Sequence, residues 1–336
     1  MTTLRTLAIS TLLSAALLTL CGRADASVVT VGSPLVGNFS QTSFGGGPNT
    51  WANIALGAPG ADVTSPVDGV VIRWRMTGAY SGGPFRLRVL RPTGGGAYTG
   101  AGTSTPVTPV GAPATNLFST VIPIKAGDLV GLDPEHTNDK IGTLSTSSAL
   151  TTISYWNPGL VDGAGGRMPD GQFSPGNELG FNADVLPPPS ISTIGPVGGS
   201  LAGGANVTIS GDNFAEVSGV LFGSMPASAF KVDSETQITA TAPPSATLVS
   251  VPISVSTVSG RATSASSFAY EGCTVPKLKT KKLKAAKKKI RAGNCKVGKV
   301  TKRKGATAKT GKVVKQRPKP GSILSPGTTI KVTLGT

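Results

Sequence analysis

Residues that could carry out catalysis are scarce in this 336-residue chain. Its one histidine, His136, lies in a short acidic segment with Asp133, Glu135 and Asp139. Clustered carboxylate oxygens could ligate a hard cation, but Pro134 and the lack of an EF-hand spacing favour a polar turn. The other acids are scattered, and no Gly-x-Ser-x-Gly nucleophile elbow occurs. We therefore expect a non-enzymatic protein with no metal and no cofactor.

The chemistry that the sequence does offer is electrostatic, and it is confined to the C-terminal end. Residues 273–336 carry twenty Lys or Arg and no Asp or Glu, whereas the rest of the chain has twelve bases against sixteen acids. All of the net charge of +16 therefore comes from this segment. Such an asymmetry predicts a polyanionic partner. The bases expected to contact it are Lys281, Lys282, Lys284, Lys287, Lys288, Lys289, Arg291, Lys302, Arg303 and Lys304.

The first 26 residues have the pattern of a secretory signal peptide. Arg5 precedes an uncharged apolar run at 7–20, and Ala24-Asp25-Ala26 offers a small-x-small cleavage site. The run is shorter than the roughly 20 residues that a membrane-spanning helix needs, so we expect no transmembrane segment in the mature chain. Lipidation of Cys21 stays open, although Leu20 stands where a lipobox requires a small residue. The pattern predicts an exported bacterial protein, in the cell wall or outside the cell.

Cleavage after residue 26 would leave two cysteines, Cys273 and Cys295. Two cysteines close together in one exported module predict a disulfide. Closing a loop of roughly 20 residues contributes about 3 kcal/mol in the chain-entropy model. That contribution matters here because the C-terminal segment has few apolar residues.

Elements rich in β-forming residues must position these groups, and the predicted fold class is mainly β. The first module, residues 27–186, is expected to be a jelly-roll-like β-sandwich, because short Val/Ile/Thr-rich runs alternate with Gly, Pro, Asn and Asp. Residues 187–189 are three prolines, which favour a stiff extended linker. The predicted strands of the first module are 49–56, 69–76, 84–90, 117–123, 128–132, 151–156 and 179–185.

Two of these strands alternate apolar residues with arginines. Arg73 and Arg75 on one, and Arg86 and Arg88 on the other, would point away from the apolar face. If the strands were neighbours, the four side chains would form a basic stripe. The interpretation that we favour is that they are outer-face residues beside Asp and Glu from other strands.

Carbohydrate recognition by the first module is the alternative function. Sugar-binding platforms use exposed aromatic rings, and Trp156, beside Asn157-Pro158-Gly159 at a strand end, is the best candidate for one. A buried role in the core is the expectation that we favour for each ring. The aromatic residues available are Trp51, Trp74, Tyr80, Tyr98, Tyr155 and Trp156.

The second module, residues 190–270, resembles an IPT/TIG domain, which implies an immunoglobulin-like sandwich used as a spacer, an interaction module or a DNA-binding unit. In an exported chain the spacer and adhesion roles lead. The resemblance rests on Ile194-Gly195-Pro196, Gly203-Gly204, Val207-Thr208-Ile209-Ser210-Gly211, Asn213-Phe214, Phe222-Gly223, Pro226-Ala227, Thr236-Gln237-Ile238-Thr239-Ala240, Pro243 and Phe268-Ala269-Tyr270.

The third module, residues 273–336, resembles a PASTA domain. Val275-Pro276-Lys277-Leu278 opens it, and a helix is predicted over 281–292 with Leu283, Ala286 and Ile290 on one narrow apolar stripe. Strands are predicted at 297–301, 311–316 and 329–334. The resemblance implies binding to the cell wall. A single copy without a kinase or a membrane span on the same chain argues against a signalling role.

These features together predict a non-catalytic protein of the cell envelope, held noncovalently on peptidoglycan or other anionic wall polymers by its basic module. The preference for Lys over Arg indicates point-charge attraction with weak specificity. Intracellular nucleic acid is not expected as a partner, since aromatic rings for base stacking are almost absent from the basic segment and export removes genomic DNA. Solubility of a module with a poor core is the competing explanation of the charge, but we favour wall binding because solubility rarely needs twenty bases without one acid. A secreted glycan-binding protein or carbohydrate-active enzyme, with its activity in residues 28–186, is the alternative.

Overall fold

The computed structural model describes residues 28–43, 48–77, 82–110, 114–146, 148–173 and 175–336. The predicted signal peptide and Cys21 lie outside these residues. Strands dominate the described chain, and its helix content is one α-helix of 10 residues. The mainly β fold class is therefore confirmed. Within the same residues, no helix has the length and apolar character to cross a membrane.

Thirteen strands make up the N-terminal part of the described chain. In chain order they are β1 (Val29–Gly32), β2 (Ser40–Ser43), β3 (Thr50–Ala55), β4 (Gly69–Met76), β5 (Phe85–Gly94), β6 (Ala97–Thr103), β7 (Asn116–Ile124), β8 (Leu129–Pro134), β9 (Lys140–Ser145), β10 (Thr152–Trp156), β11 (Gly171–Gln172), β12 (Asn177–Leu179) and β13 (Phe181–Leu186).

These strands pair into three antiparallel sheets, with the orders β1-β13-β4-β7, β11-β10-β3-β8-β5-β6 and β12-β9-β2. The two larger sheets share one apolar core, to which Trp74, Phe85 and Phe181 contribute fully buried rings. Alternating apolar residues on β4 and β5 supply the inward faces. The N-terminal part is therefore a β-sandwich.

All seven strands predicted for this part overlap observed strands, but several others were missed. β6 (AYTGAGT) and β9 (KIGTLS) are rich in Gly, Ser and Thr, so they lack the apolar alternation that identifies a strand from sequence. β1 and β2 are only 4 residues long. Each gains its stability from cross-strand pairing and not from its own composition.

The proline segment is tied to the module that follows it. The hydroxyl of Ser259 donates to the Pro187 carbonyl at 2.8 Å, and the side-chain amide of Asn213 donates to the Pro188 carbonyl at 2.9 Å. On the other side, Leu186 is fully buried at the end of β13.

Nine strands form two sheets around a second core. They are β14 (Ser190–Gly195), β15 (Gly198–Ser200), β16 (Asn206–Asp212), β17 (Gly219–Phe222), β18 (Met225–Pro226), β19 (Ala229–Ser234), β20 (Gln237–Thr241), β21 (Ser250–Thr257) and β22 (Gly260–Glu271). The sheet orders are β14-β16-β20-β19 and β15-β22-β21-β17-β18. Val207, Ile209, Phe222 and Phe268 are fully buried between them. The arrangement is an immunoglobulin-like sandwich.

The C-terminal part is a small α+β unit with its own core. Its elements are β23 (Cys273–Thr274), α1 (Leu283–Ala292), β24 (Lys296–Lys302), β25 (Lys312–Arg317), β26 (Ile323–Leu324) and β27 (Thr329–Gly335). The sheet order is β24-β27-β25, with β24 and β27 parallel and β25 antiparallel to β27. The predicted helix and three strands are all present, with ends within two residues of the prediction.

Candidate functional site

The predicted disulfide holds both ends of the segment that contains helix α1. Cys273 and Cys295 are bonded, and both side chains are buried in the core of the C-terminal unit. Beside the bond, the backbone N–H of Thr274 donates to the carbonyl of Gly293 at 2.9 Å. The disulfide prediction is confirmed. The segment that presents most of the predicted basic residues is therefore closed into a loop.

Helix α1 separates its apolar and basic residues around its axis. Leu283, Ala286 and Ile290 are buried against the sheet, as their spacing predicts. The bases occupy the rest of the surface because residues three and four apart share a helix face. Seven of the bases expected to contact a polyanion lie on or next to this helix. Lys287 is half-buried, and the other six are exposed: Lys281, Lys282, Lys284, Lys288, Lys289 and Arg291.

The start of this helix is electrostatically unfavourable. Lys282 occupies the N-cap position and makes no side-chain capping hydrogen bond, and the first turn contains no acidic residue. Cations at a helix N-terminus oppose the macrodipole. At the other end Lys289 and Arg291 in the last turn complement it, and the N–H of Gly293 bonds to helix carbonyls. The helix therefore retains a basic N-terminus that nothing in the described chain neutralises.

The remaining predicted bases lie at the end of β24. Lys302 is the last residue of that strand, and Arg303 follows it with its N–H donating to the Leu334 carbonyl at 2.9 Å. Lys304 comes next, and all three side chains are exposed. The structure thus puts the ten predicted bases in two groups, one on α1 and one at the end of β24. Their role as binding residues stays a prediction.

A further set of bases, which the sequence analysis left out of the site, lies on the sheet face that α1 does not cover. Ile330, Val332 and Leu334 of β27 are buried toward the helix, so Lys331 and Thr333 between them face away. Arg317 of β25 is paired directly with Lys331, and Lys315 is paired with Thr333. The signal that could have found them is the alternation in β27 (TIKVTLG) together with its pairing to β25 (KVVKQR).

None of the twenty bases in 273–336 forms an ion pair with a carboxylate in the part of the chain that the structure describes, whereas the sandwich arginines do. Asp184 is shared by Arg73 and by Arg75, whose Nη2 lies 2.6 Å from its carboxylate. Burial of Asp184 opposes ionisation, but hydrogen bonds from the two arginines outweigh it and lower the pKa. The favoured interpretation, arginines beside acids, therefore describes this face.

The basic stripe considered from sequence is wrong. Arg73 and Arg75 lie on β4 in the four-stranded sheet, whereas Arg86 and Arg88 lie on β5 in the six-stranded sheet. The β5 arginines are also neutralised, by Glu135 for Arg86 and by acids including Asp133 for Arg88, each at 2.6 Å. The four guanidinium groups therefore cannot act together on one anionic ligand.

The acidic segment around His136 does not gather its carboxylates. Asp133 accepts from Arg88 and from the hydroxyl of Thr50 at 2.7 Å, and burial raises its pKa to about 6. Asp139 is turned to the backbone N–H groups of Gly83 and His136, at 2.7 and 2.9 Å. Across the described ranges, no three His, Cys, Asp or Glu side chains are grouped where they could hold a metal ion. The polar-turn interpretation therefore fits the geometry.

The alternative glycan platform at Trp156 is wrong, and the buried role that we favoured is confirmed for this ring. Its side chain is 0% exposed, its indole N–H donates to the Arg167 carbonyl at 3.2 Å, and Tyr98 packs edge-on at 5.6 Å between ring centroids. The Arg167 carbonyl belongs to a residue 11 positions further along the chain, so the local sequence does not reveal this contact. Trp51 and Trp74 are 4% and 0% exposed. Tyr80 lies outside the described residues.

Comparison with known families identifies two of the modules. Residues 189–270 match the IPT/TIG domain, and residues 274–336 match the PASTA domain. The chain therefore contains an IPT/TIG domain followed by a PASTA domain, as their residues indicated. Together they fit a protein of the cell envelope or cell surface.

Other comparisons add little. No curated protein matches the chain. Among solved structures, the full extracellular region of plexin A4 is similar at 19% identity, over 44% of this chain and 13% of that one, with a TM-score of 0.25. A likeness at that score carries no argument here.

Proposed function

We propose that this chain is a non-catalytic, exported protein of the bacterial cell envelope. Its PASTA domain holds it noncovalently on peptidoglycan or other anionic wall polymers, and its IPT/TIG domain spaces the N-terminal sandwich from the attachment point. The observation that carries the proposal is the contrast in charge pairing. The sandwich arginines described above are matched by carboxylates, whereas the PASTA domain carries twenty bases with no acid of its own.

Uncompensated charge on this scale opposes folding. Like charges three and four apart on a helix destabilise it by about 0.2–0.5 kcal/mol per pair, and Lys284, Lys288 and Arg291 form such a series on α1. Solubility alone does not require such a concentration of bases without a single acid. An external polyanion would supply the missing counter-charges, and each contact would weaken as salt screens it. Retention would then depend on many weak contacts and show little specificity.

A sedimentation experiment with purified cell-wall sacculi tests the proposal. The chain without residues 1–26 is expected to pellet with sacculi at low salt and to be released as NaCl is raised. The variant K302Q/K304Q is expected to be released at lower salt. A matched control, K125Q/R261Q, removes two exposed charges outside the PASTA domain and is expected to behave as the unchanged protein. Protein that remains in the supernatant at low salt would refute the proposal.

A further inference from the structure

The uncovered face of the PASTA sheet presents its bases in rows. Lys331, on the central strand β27, has Arg317 directly opposite on β25. On its other side, the pairing of β24 shifts between Val297 and Val300, so that Gly298 and Lys299 both oppose Lys331. Adjacent strands are about 4.8 Å apart, so three basic residues fall within about 10 Å across the sheet.

The neighbouring row adds hydroxyls to this surface. Thr333 is paired with Lys315 on one side and with Thr301 on the other. Rows on one face of a sheet are separated by two residues, which is about 6.7 Å. On this face of the sheet, ammonium, guanidinium and hydroxyl donors therefore lie next to one another at short, regular intervals. Acceptor carboxylates are absent from it because residues 273–336 contain none.

The N-terminal sandwich offers a comparison, because there the bases on a sheet are paired with acids of the same chain. There, Arg75 on β4 meets Asp184 on β13, the neighbouring strand. In the PASTA sheet the position opposite Lys331 is occupied by Arg317, and like charges directly opposite each other destabilise a sheet. A purely structural face would not need that pairing. Its counter-ion therefore has to come from outside the described chain.

We propose that this face, defined by Lys315, Arg317, Lys331 and the paired threonines, is a second polyanion-binding site, separate from the α1 face, and that its ligand is a linear polymer that carries regularly spaced phosphate or carboxylate groups. The inference rests on the proposed function and adds the location and the chemistry of a site. Helix α1 covers the opposite face of the sheet, so one domain can engage two polymer chains at once. A guanidinium group bonds two oxygens of one phosphate or carboxylate through two parallel N–H donors. Flanking ammonium and hydroxyl donors can bond the neighbouring anionic groups of the same polymer.

Binding of short-chain polyphosphate to the full chain, measured by isothermal titration calorimetry, tests the site through its stoichiometry. The unchanged protein is expected to bind two chains. The sheet variant K315Q/R317Q/K331Q and the helix variant K284Q/K288Q/R291Q remove the same number of charges, and each is expected to bind one. Losing three phosphate contacts should also reduce the slope of log K against log salt by about 2. Polyglutamate, which offers carboxylates, is expected to lose affinity in the sheet variant as polyphosphate does, because a guanidinium group pairs with both kinds of anion.

The outcomes separate this site from the general attachment. The second site would be overturned if the sheet variant still bound two chains. It would also be overturned if both variants lost the same small amount of affinity without a change in stoichiometry. Either result would leave wall attachment intact. Unchanged affinity of the sheet variant for both polyphosphate and polyglutamate would also overturn the second site. If the unchanged protein bound neither polymer and also failed to sediment with sacculi, the proposed function itself would be refuted. The variant R317K is a conservative control, because it keeps the positive charge at this position but removes the two parallel N–H donors.

Discussion

Replacing the N-cap lysine of α1 should make the PASTA domain more stable and less adhesive. Lys282 has an extended backbone, with φ −63° and ψ 151°, and makes no side-chain hydrogen bond to the helix. An aspartate at this position can accept from the free N–H groups of Lys284 or Ala285. The change K282D also puts a negative charge where the helix dipole favours one.

The size of the gain follows from two terms. A good N-cap residue contributes about 1 kcal/mol, and an anion in the first turn adds about 0.3–1 kcal/mol. Relief of repulsion from the exposed Lys281 and Lys284 acts in the same direction. We expect an increase of about 1–2 kcal/mol. For a domain of this size, that increase corresponds to a rise in Tm of about 4–16 °C.

Hydrogen exchange of the α1 amides in the full chain, followed by mass spectrometry, measures the gain locally. The matched control is K304D, which makes the same charge change in an exposed turn away from the helix N-terminus. Both variants should be released from sacculi at lower salt, but only K282D should slow exchange in Leu283–Ala292. If K282D left exchange unchanged, the uncapped, dipole-opposing start of the helix would not be the source of instability that we infer.

Further measurements test other parts of the molecule. Replacing Cys273 and Cys295 by alanine should lower the free energy of unfolding of the PASTA domain by about 3 kcal/mol in urea denaturation, and a loss near zero would contradict the loop-closure argument. The change D184N should destabilise the sandwich by about 2–3 kcal/mol, less than for a fully buried pair because its arginine partners are partly exposed. Burial raises the pKa of Asp133 to about 6, so the stability contributed by its protonated form is fully present below about pH 4 and is lost as pH rises through about 6. In D133N, the free energy of unfolding measured across this range should lose part of its pH dependence. Acrylamide should quench tryptophan fluorescence weakly, with no change when glycans are added, since the rings of Trp51, Trp74 and Trp156 are buried.

The sequence predicted the apolar faces better than the contacts of polar groups. The stripe of Leu283, Ala286 and Ile290 and the alternation on β4 each identify an inward face, because the helix and strand periods are local properties. Which acid neutralises which arginine is not local. Asp184 lies 109 residues from Arg75, and only the pairing of β13 with β4 brings them together.

The same limit explains why the sequence left a glycan platform at Trp156 open as an alternative and why the sheet bases were overlooked. Trp156 stands beside a turn, and its indole N–H bonds to the Arg167 carbonyl, 11 positions further along the chain. Lys331 and Arg317 are 14 positions apart, and the register of β25 with β27 makes them neighbours. A binding face made across strands is visible only once the register is known.

The disulfide and the basic helix are best understood together. The bond between Cys273 and Cys295 closes a loop with a sequence separation of 22 that contains α1 and nine of the twenty bases. Repulsion between those bases raises the free energy of the folded helix, while the closed loop lowers the entropy of the unfolded chain and so raises its free energy by about 3 kcal/mol. The two effects are opposite in sign. A covalent link at this place therefore allows a short domain to keep a densely charged surface without acids of its own, which is the property that binding to a polyanion requires.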